Sequence, residues 1–302
     1  MLCAMAAAPV ATETYTPFLG GMRSPVIAPL TRFLIGLPLV LLTTQTAAYF
    51  AWTIEPPMTA AFLGANYWSS ALLALLAARE TLWARGRVSV SVALAFAPLT
   101  TIATFLHLGQ FHLDTVYGWF WVAAYTIYPL QLGYFLMKQL RTPGADPPRE
   151  RTLPTWVKAI LGLQAVVLIP LGIALFLLPN TVAELWPWAL PPLSARAVSA
   201  WLIAFGVLAA HSIVENDFAR VRSAMLGYPF AGALHALMLV RFSEDVRWED
   251  PGAWVYIGFI VSFFALGAWG LLTESRAHPS AAGKRSLSSR SRSPIPPPPP
   301  SD

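Results

Sequence analysis

The sequence predicts an all-α integral membrane fold: eight transmembrane helices arranged as two tandem, parallel four-helix repeats. Three observations carry that expectation. The 302 residues are 56% hydrophobic and only 12% charged, well away from the roughly quarter-charged composition of soluble domains. The apolar residues gather in eight stretches, each close to the roughly 20 residues that a helix rising about 1.5 Å per residue needs to cross a hydrocarbon layer of about 30 Å. Finally, the octapeptide ETLWARGR at 80–87 returns as ENDFARVR at 215–222, a charged pattern written twice in a chain poor in charge.

In order, the stretches are 33–53, 59–78, 88–107, 117–137, 158–178, 194–214, 223–240 and 253–273. They are continuous apolar runs rather than alternating ones, which excludes a membrane β-barrel. The first and fifth share the motifs LIGLPLVLL (34–42) and ILGLQAVVL (160–168), with Pro38 and Pro170 expected to kink them. The second and sixth open with PPMTA and PPLSA; proline is tolerated in a first helical turn, and Thr59 or Ser194 is placed to cap free backbone N–H groups. Small residues on these two, such as Gly64, Ser69, Ser199 and Gly206, permit close helix approach. The third and seventh hold the paired prolines Pro98 and Pro229, whose kinks expose carbonyls and point to a cavity near the middle of the bilayer. The fourth and eighth agree only in hydropathy.

The duplication rests on ungapped matches. Residues 56–87 and 191–222 share 10 identities in 32 positions, including both Pro-Pro pairs, Glu80/Glu215, Arg85/Arg220 and Arg87/Arg222. Upstream the offset is 126 and downstream it is 131, where Pro98/Pro229 and Asp114/Asp245 agree; the nine-residue change falls in the loop around ELWPWALPP. A unit with an even number of spans returns to its starting side, so the halves share one orientation and are expected about an axis along the membrane normal.

Placing both termini and the loops after the second, fourth and sixth stretches on one side gathers 17 of the 20 Lys and Arg residues there, leaving Arg196, Arg241 and Arg247 opposite. Positive loops stay cytoplasmic, so a multi-pass protein of the cell (plasma) membrane with both termini inside is expected. Seven of the 12 tryptophans fall near the opposite ends of the stretches, as an aromatic belt would. The division is a flexible N-terminal segment (1–32), repeat A (33–137), a cytoplasmic linker (138–157), repeat B (158–273) and a disordered basic, Pro-rich tail (274–302). The opening MLCAMAAAPVA lacks the basic residue of a signal peptide, and Met22 is an alternative to Met1 as the start.

The single cysteine, Cys3, rules out disulfides and cysteine metal sites. No Walker loop, dinucleotide glycine fingerprint, HExxH or Gly-x-Ser-x-Gly elbow is present, and no stretch has a central carboxylate of the kind that couples transport to ions. Two sets of residues remain as site candidates. Glu80, Arg85 and Arg87 with Glu215, Arg220 and Arg222 form either a Glu–Arg anchor across each turn or, jointly, one inner gate or phosphate site. His107, His112 and Asp114 in HLGQFHLD, with His235, are the weak candidates for a metal or bis-imidazole haem site, and no metal or cofactor is expected.

Three functions are compatible with these features. The first is passage or transport of a small, mostly apolar or amphipathic compound, the second a non-catalytic assembly or sensory partner of another membrane complex, and the third a His-ligated membrane enzyme. The lipid bilayer is the expected partner, with an unidentified membrane protein on the second reading, and no nucleic acid.

Overall fold

The computed structural model describes residues 14–20 and 27–277, and those residues are helical apart from turns and two isolated β-bridges. The described helices are α1 (Ile27–Leu41), α2 (Thr46–Tyr49), α3 (Pro57–Ala78), α4 (Trp83–Leu106), α5 (Val116–Leu140), α6 (Thr155–Leu177), α7 (Pro179–Val182), α8 (Pro192–Glu215), α9 (Phe218–Arg241) and α10 (Pro251–Ala277). Six of them, α3, α4, α6, α8, α9 and α10, are long and apolar enough to cross a membrane. That makes the chain fit a multi-pass helical membrane protein.

Two of the eight expected spans depart from expectation. The 33–53 stretch is not one straight helix: Ala28–Leu41 and Thr43–Tyr49 meet at 91°. The break has a local cause, since the Thr43 hydroxyl donates to the Leu39 and Val40 carbonyls and Arg241 also donates to Val40, so the last turn of α1 is satisfied without further helix. The 117–137 stretch does form a helix, α5, of 25 residues, but it falls outside the six because Tyr and Trp residues, Gln131 and Pro129 dilute its apolar content.

Two of the long helices carry a side-chain cap at the N-terminus, and α3 is capped from a distant loop. Thr115 and Asp217 accept from the backbone N–H groups of Gly118 and Arg220 and so cap α5 and α9. The Thr59 cap proposed for α3 does not form; Asp245 accepts from the Met58 N–H at 2.8 Å, and the Thr59 hydroxyl instead accepts from the Trp188 indole at 2.9 Å.

Packing is organised by pairs. In the first half α1 lies on α3 and α5 on α4; in the second α6 lies on α8 and α10 on α9. Across the halves α3 packs on α9 and α4 on α8, so α3, α4, α8 and α9 form the centre and the other four long helices the flanks. The aromatic belt is only partly a belt. Trp119, Trp248 and Trp254 are exposed, but Trp52, Trp121, Trp186 and Trp188 are buried in two aromatic clusters, where Trp52 stands 4.9 Å from Trp121 and Trp186 stands 5.2 Å from Trp188.

Two connecting segments, residues 14–20 of the N-terminal stretch and the linker, are pinned at one end of the bundle. Residues 14–20 run beneath α4, with Phe18 buried, the Trp83 N–H donating to Thr16 O and the Gln139 amide bonded to both Pro17 and Leu19. Gly86 is a packing requirement here, because a Cβ at that position would overlap the Phe18 ring. The linker is held in the same manner: the Phe218 N–H donates to Arg151 O, Leu153 is buried, and the Asp217 carboxylate accepts from the Glu150 and Arg151 N–H groups. The tail beyond Ala277, the first 13 residues and 21–26 lie outside the described residues.

Candidate functional site

The repeated octapeptides bring their charges together at the linker end. Helix α3 delivers Glu80 just past its last turn and α8 ends on Glu215, while α4 and α9 open with the arginines. The ion pairs cross between the halves. Arg87 holds Glu215 through two parallel bonds of 2.5 and 2.8 Å, and Arg222 reaches Glu80 at 3.5 Å. A pairing within one turn does occur in the second half, where Arg220 meets Glu215 at 3.0 Å. Burial shifts Glu80 to a raised carboxyl pKa, against the pull of Arg222 and Arg85.

Residues that the motif comparison did not single out complete the cluster. Asp146, from the linker, sits 2.7 Å from Arg87 and 3.4 Å from Arg220. His211, one turn before Glu215 on α8, bonds that carboxylate at 3.1 Å and the Ser91 hydroxyl of α4 at 2.9 Å. Glu274 at the end of α10 takes Arg222 by two bonds of 2.6 and 2.8 Å. Arg149 donates to the Glu215 carbonyl at 2.8 Å. Each guanidinium of Arg87, Arg220 and Arg222 is thus matched by carboxylate, and the arrangement ties the helix ends together like a latch, with Arg85 half-buried beside Glu80. Glu215 and Arg220 are buried at 2% and 5% exposure, which puts their pairing among the costly ones to break.

A narrow cavity of about 30 Å³ lies between the four central helices, with room for one or two waters. Asn66, Ser69, Ser70 and Leu73 of α3 line one wall; Trp201, Ala204, Phe205 and Leu208 of α8 line the facing wall; and Val92 of α4 with Tyr228 of α9 are among the rest. The latch lies about a helical turn beyond it: Arg87, His211 and Arg220 follow or precede the lining residues Val92, Leu208 and Ala224 by three to five positions, about 5–8 Å along a helix. Neither of the paired prolines lines it: Pro98 is exposed, and Pro229, between the lining residues Tyr228 and Ala231, packs on Gly267 of α10, where a Cβ would meet its ring.

The histidine candidates are spread over separate partners. His107 caps the end of α4 and its Nε2 accepts from Arg196 at 2.6 Å. Burial, and then the nearby guanidinium, hold its imidazolium pKa below the ordinary value. His112 bonds Thr53 and the Phe50 carbonyl, both at 3.2 Å, while Asp114 is exposed. His235 is buried on α9 with its Nδ1 2.7 Å from the Tyr256 hydroxyl. Among the described residues no group of three or more His, Cys, Asp or Glu side chains is placed to hold a metal.

Compared with known proteins, the chain matches no family model, no curated protein and no solved structure.

Proposed function

We propose that the chain is a passage or transport protein for a small, mostly apolar or amphipathic compound, built of eight spans as two parallel four-helix repeats. The interface between the repeats is the pathway, and the latch is its inner gate. Both termini then lie on the cytoplasmic side, with the linker and the basic loops.

Recurrence at one spacing supports the repeat. The hydrogen bond from Trp83 N–H to Thr16 O returns as Phe218 N–H to Arg151 O, each residue 135 positions later. Phe18 and Leu153, buried beside these bonds, keep the same interval. The helix pairings match likewise: α1 on α3 answers α6 on α8, and α3 on α9 answers α8 on α4, which is the pattern of a twofold exchange.

The observation that carries the passage reading is the cavity between the halves. Its lining positions on α3, 66, 69, 70 and 73, are those on α8, 201, 204, 205 and 208, less 135. A cavity lined at equivalent positions lies on the axis between the repeats, where a rocking motion of one half against the other opens one end and then the other. In its present form it is narrow, at about 30 Å³. The ion pairs close one end, and they are pairs that separate only when the halves do.

Flux tests this. Proteoliposomes holding the purified chain are loaded with a short alkyl alcohol bearing a fluorescent nitrobenzoxadiazole group, or with its methyl ether, and external dithionite bleaches whatever emerges. Passage predicts faster bleaching than in protein-free vesicles for at least one of the two probes, and faster still in the Arg87→Gln/Arg222→Gln variant. Rates equal to empty vesicles for both, together with a protein that co-purifies stoichiometrically, would favour the assembly-partner reading instead.

A further inference from the structure

The two walls of the cavity are chemically unlike, although they stem from equivalent positions. The α8 wall is aromatic and apolar. Trp201 is fixed there by Phe96, with centroids 4.0 Å apart, and by Tyr67 edge-on at 5.2 Å. Tyr228 contributes its ring, since its hydroxyl is spent on Gln164 of α6 at 3.2 Å. The α3 wall contributes one amide and two hydroxyls, and both hydroxyls and one amide N–H are occupied within the helix. Asn66 Nδ2 donates to Phe62 O at 2.8 Å, the Ser69 hydroxyl to Ala65 O at 2.6 Å, and the Ser70 hydroxyl to Tyr67 O at 2.8 Å.

The polar atom that stands out on that wall is Asn66 Oδ1. The residue is fully buried, its amide orientation is fixed by the bond to Phe62, and Oδ1 has no hydrogen-bond partner. A buried amide oxygen left unpaired is costly, so a donor brought to it is bound favourably. None of the lining residues is Asp, Glu, Lys, Arg or His. A cationic ligand would find no counter-charge here, and neither would an anionic one.

Resting on the passage reading, we propose that this cavity is the binding site for an uncharged amphipath with a hydroxyl or amide N–H donor. Asn66 Oδ1 accepts that donor, and the apolar body lies against Trp201 and Phe205. At about 30 Å³ the present form has room for water alone; the ligand enters when the walls of α3 and α8 part, and its donor then pairs with Asn66 Oδ1. Specificity then lies in the donor, because the unpaired Oδ1 is an acceptor that neither an ether nor an alkane can satisfy.

The test uses the full chain in lipid nanodiscs and two photoreactive probes, an alkyl alcohol carrying a diazirine and its methyl ether. Labelled peptides are mapped by mass spectrometry. The site predicts labelling of 66–73 or 201–208 by the alcohol at about ten times the level given by the ether, and loss of that preference in Asn66→Leu, which keeps the volume but removes the acceptor. Equal labelling by the two probes in the unmodified protein overturns the proposal, even if Asn66→Leu fails to fold. So does a preference that survives in a folded Asn66→Leu. Alcohol preference at these peptides in a protein that passes neither probe across vesicles upholds the site and removes the transport reading. Flux with equal labelling does the reverse.

Discussion

Arg87 and Glu215 lie 128 positions apart and form a bidentate pair of 2.5 and 2.8 Å that ties α4 of one half to the end of α8 in the other. The partner pair, Arg222 with Glu80 at 3.5 Å, joins the same positions of the two octapeptides in the opposite sense. The repeated motif is thus a mutual clasp: each copy supplies the acid that the other copy's arginine takes.

The two pairs differ in burial, and that difference is measurable. Glu215 is nearly inaccessible and bonds Arg87, Arg220 and His211. Replacing it by Gln leaves buried guanidinium charge behind and is expected to cost about 3 kcal/mol. Glu80 meets an Arg222 that is a third exposed and already held by Glu274, so Glu80→Gln is expected to cost no more than about 1 kcal/mol. Denaturation of the two variants in detergent compares them; equal losses would mean that the clasp is energetically symmetrical.

That clasp was half legible in the sequence. The duplicated Glu and Arg positions identify the participants, because charged matches 135 residues apart do not arise from apolar composition. The partners within the motif were not legible, since a Glu five or seven residues before an Arg reads equally well as a local bridge and as one half of an exchanged pair. Asp146, His211 and Glu274 have no conspicuous pattern of their own and join the site only through the fold. The same limit applies to the cavity. Prolines signal a kink from the sequence, but which face the kinked helix turns inward is decided by packing, and Pro98 ends on the outside. Asn66, the residue with the unpaired acceptor, is one amide among small residues on a buried helix, marked by nothing until its neighbours are known.

His107 provides a pH signature. Its folded pKa lies below the unfolded value of about 6.5, so between the two the unfolded chain binds more protons. The neutral ring accepting from Arg196 therefore contributes stability that is fully present above about pH 6.5 and is lost as pH falls toward the folded value. Thermal midpoints in detergent are expected to drop on acidification from about pH 7.5 to 5. His107→Met, the residue at the matching position 238, is expected to flatten that part of the profile. An unchanged slope in His107→Met would place the titration elsewhere.

Docking of residues 14–20 depends on the absence of a side chain at Gly86. Gly86→Ala pushes a methyl group into the Phe18 ring and is expected to cost about 1–3 kcal/mol, releasing the segment from α4. Hydrogen exchange at Phe18 and Trp83, whose N–H groups bond Thr81 and Thr16, reads the release directly. Gly133→Ala, with open space around it, serves as the control and is expected to leave both amides protected. Protection at both amides in Gly86→Ala would mean that Phe18 can repack without undocking.

Closure of a pathway through the cavity by the cross-half ion pairs is read directly by cysteine accessibility. On a Cys3→Ser background, which removes the chain's single thiol, Ala204→Cys places one thiol in the cavity wall. Its rate of modification by a membrane-impermeant maleimide added at the linker end is then compared with and without Arg87→Gln/Arg222→Gln. Slow labelling is expected with the latch intact, and labelling at least about tenfold faster once both cross-half pairs are broken, as for a shift of more than about 1.4 kcal/mol toward the open form. The same rate in a latch-broken variant that remains folded would contradict it, and would leave the ion pairs as an anchor between two halves that do not part.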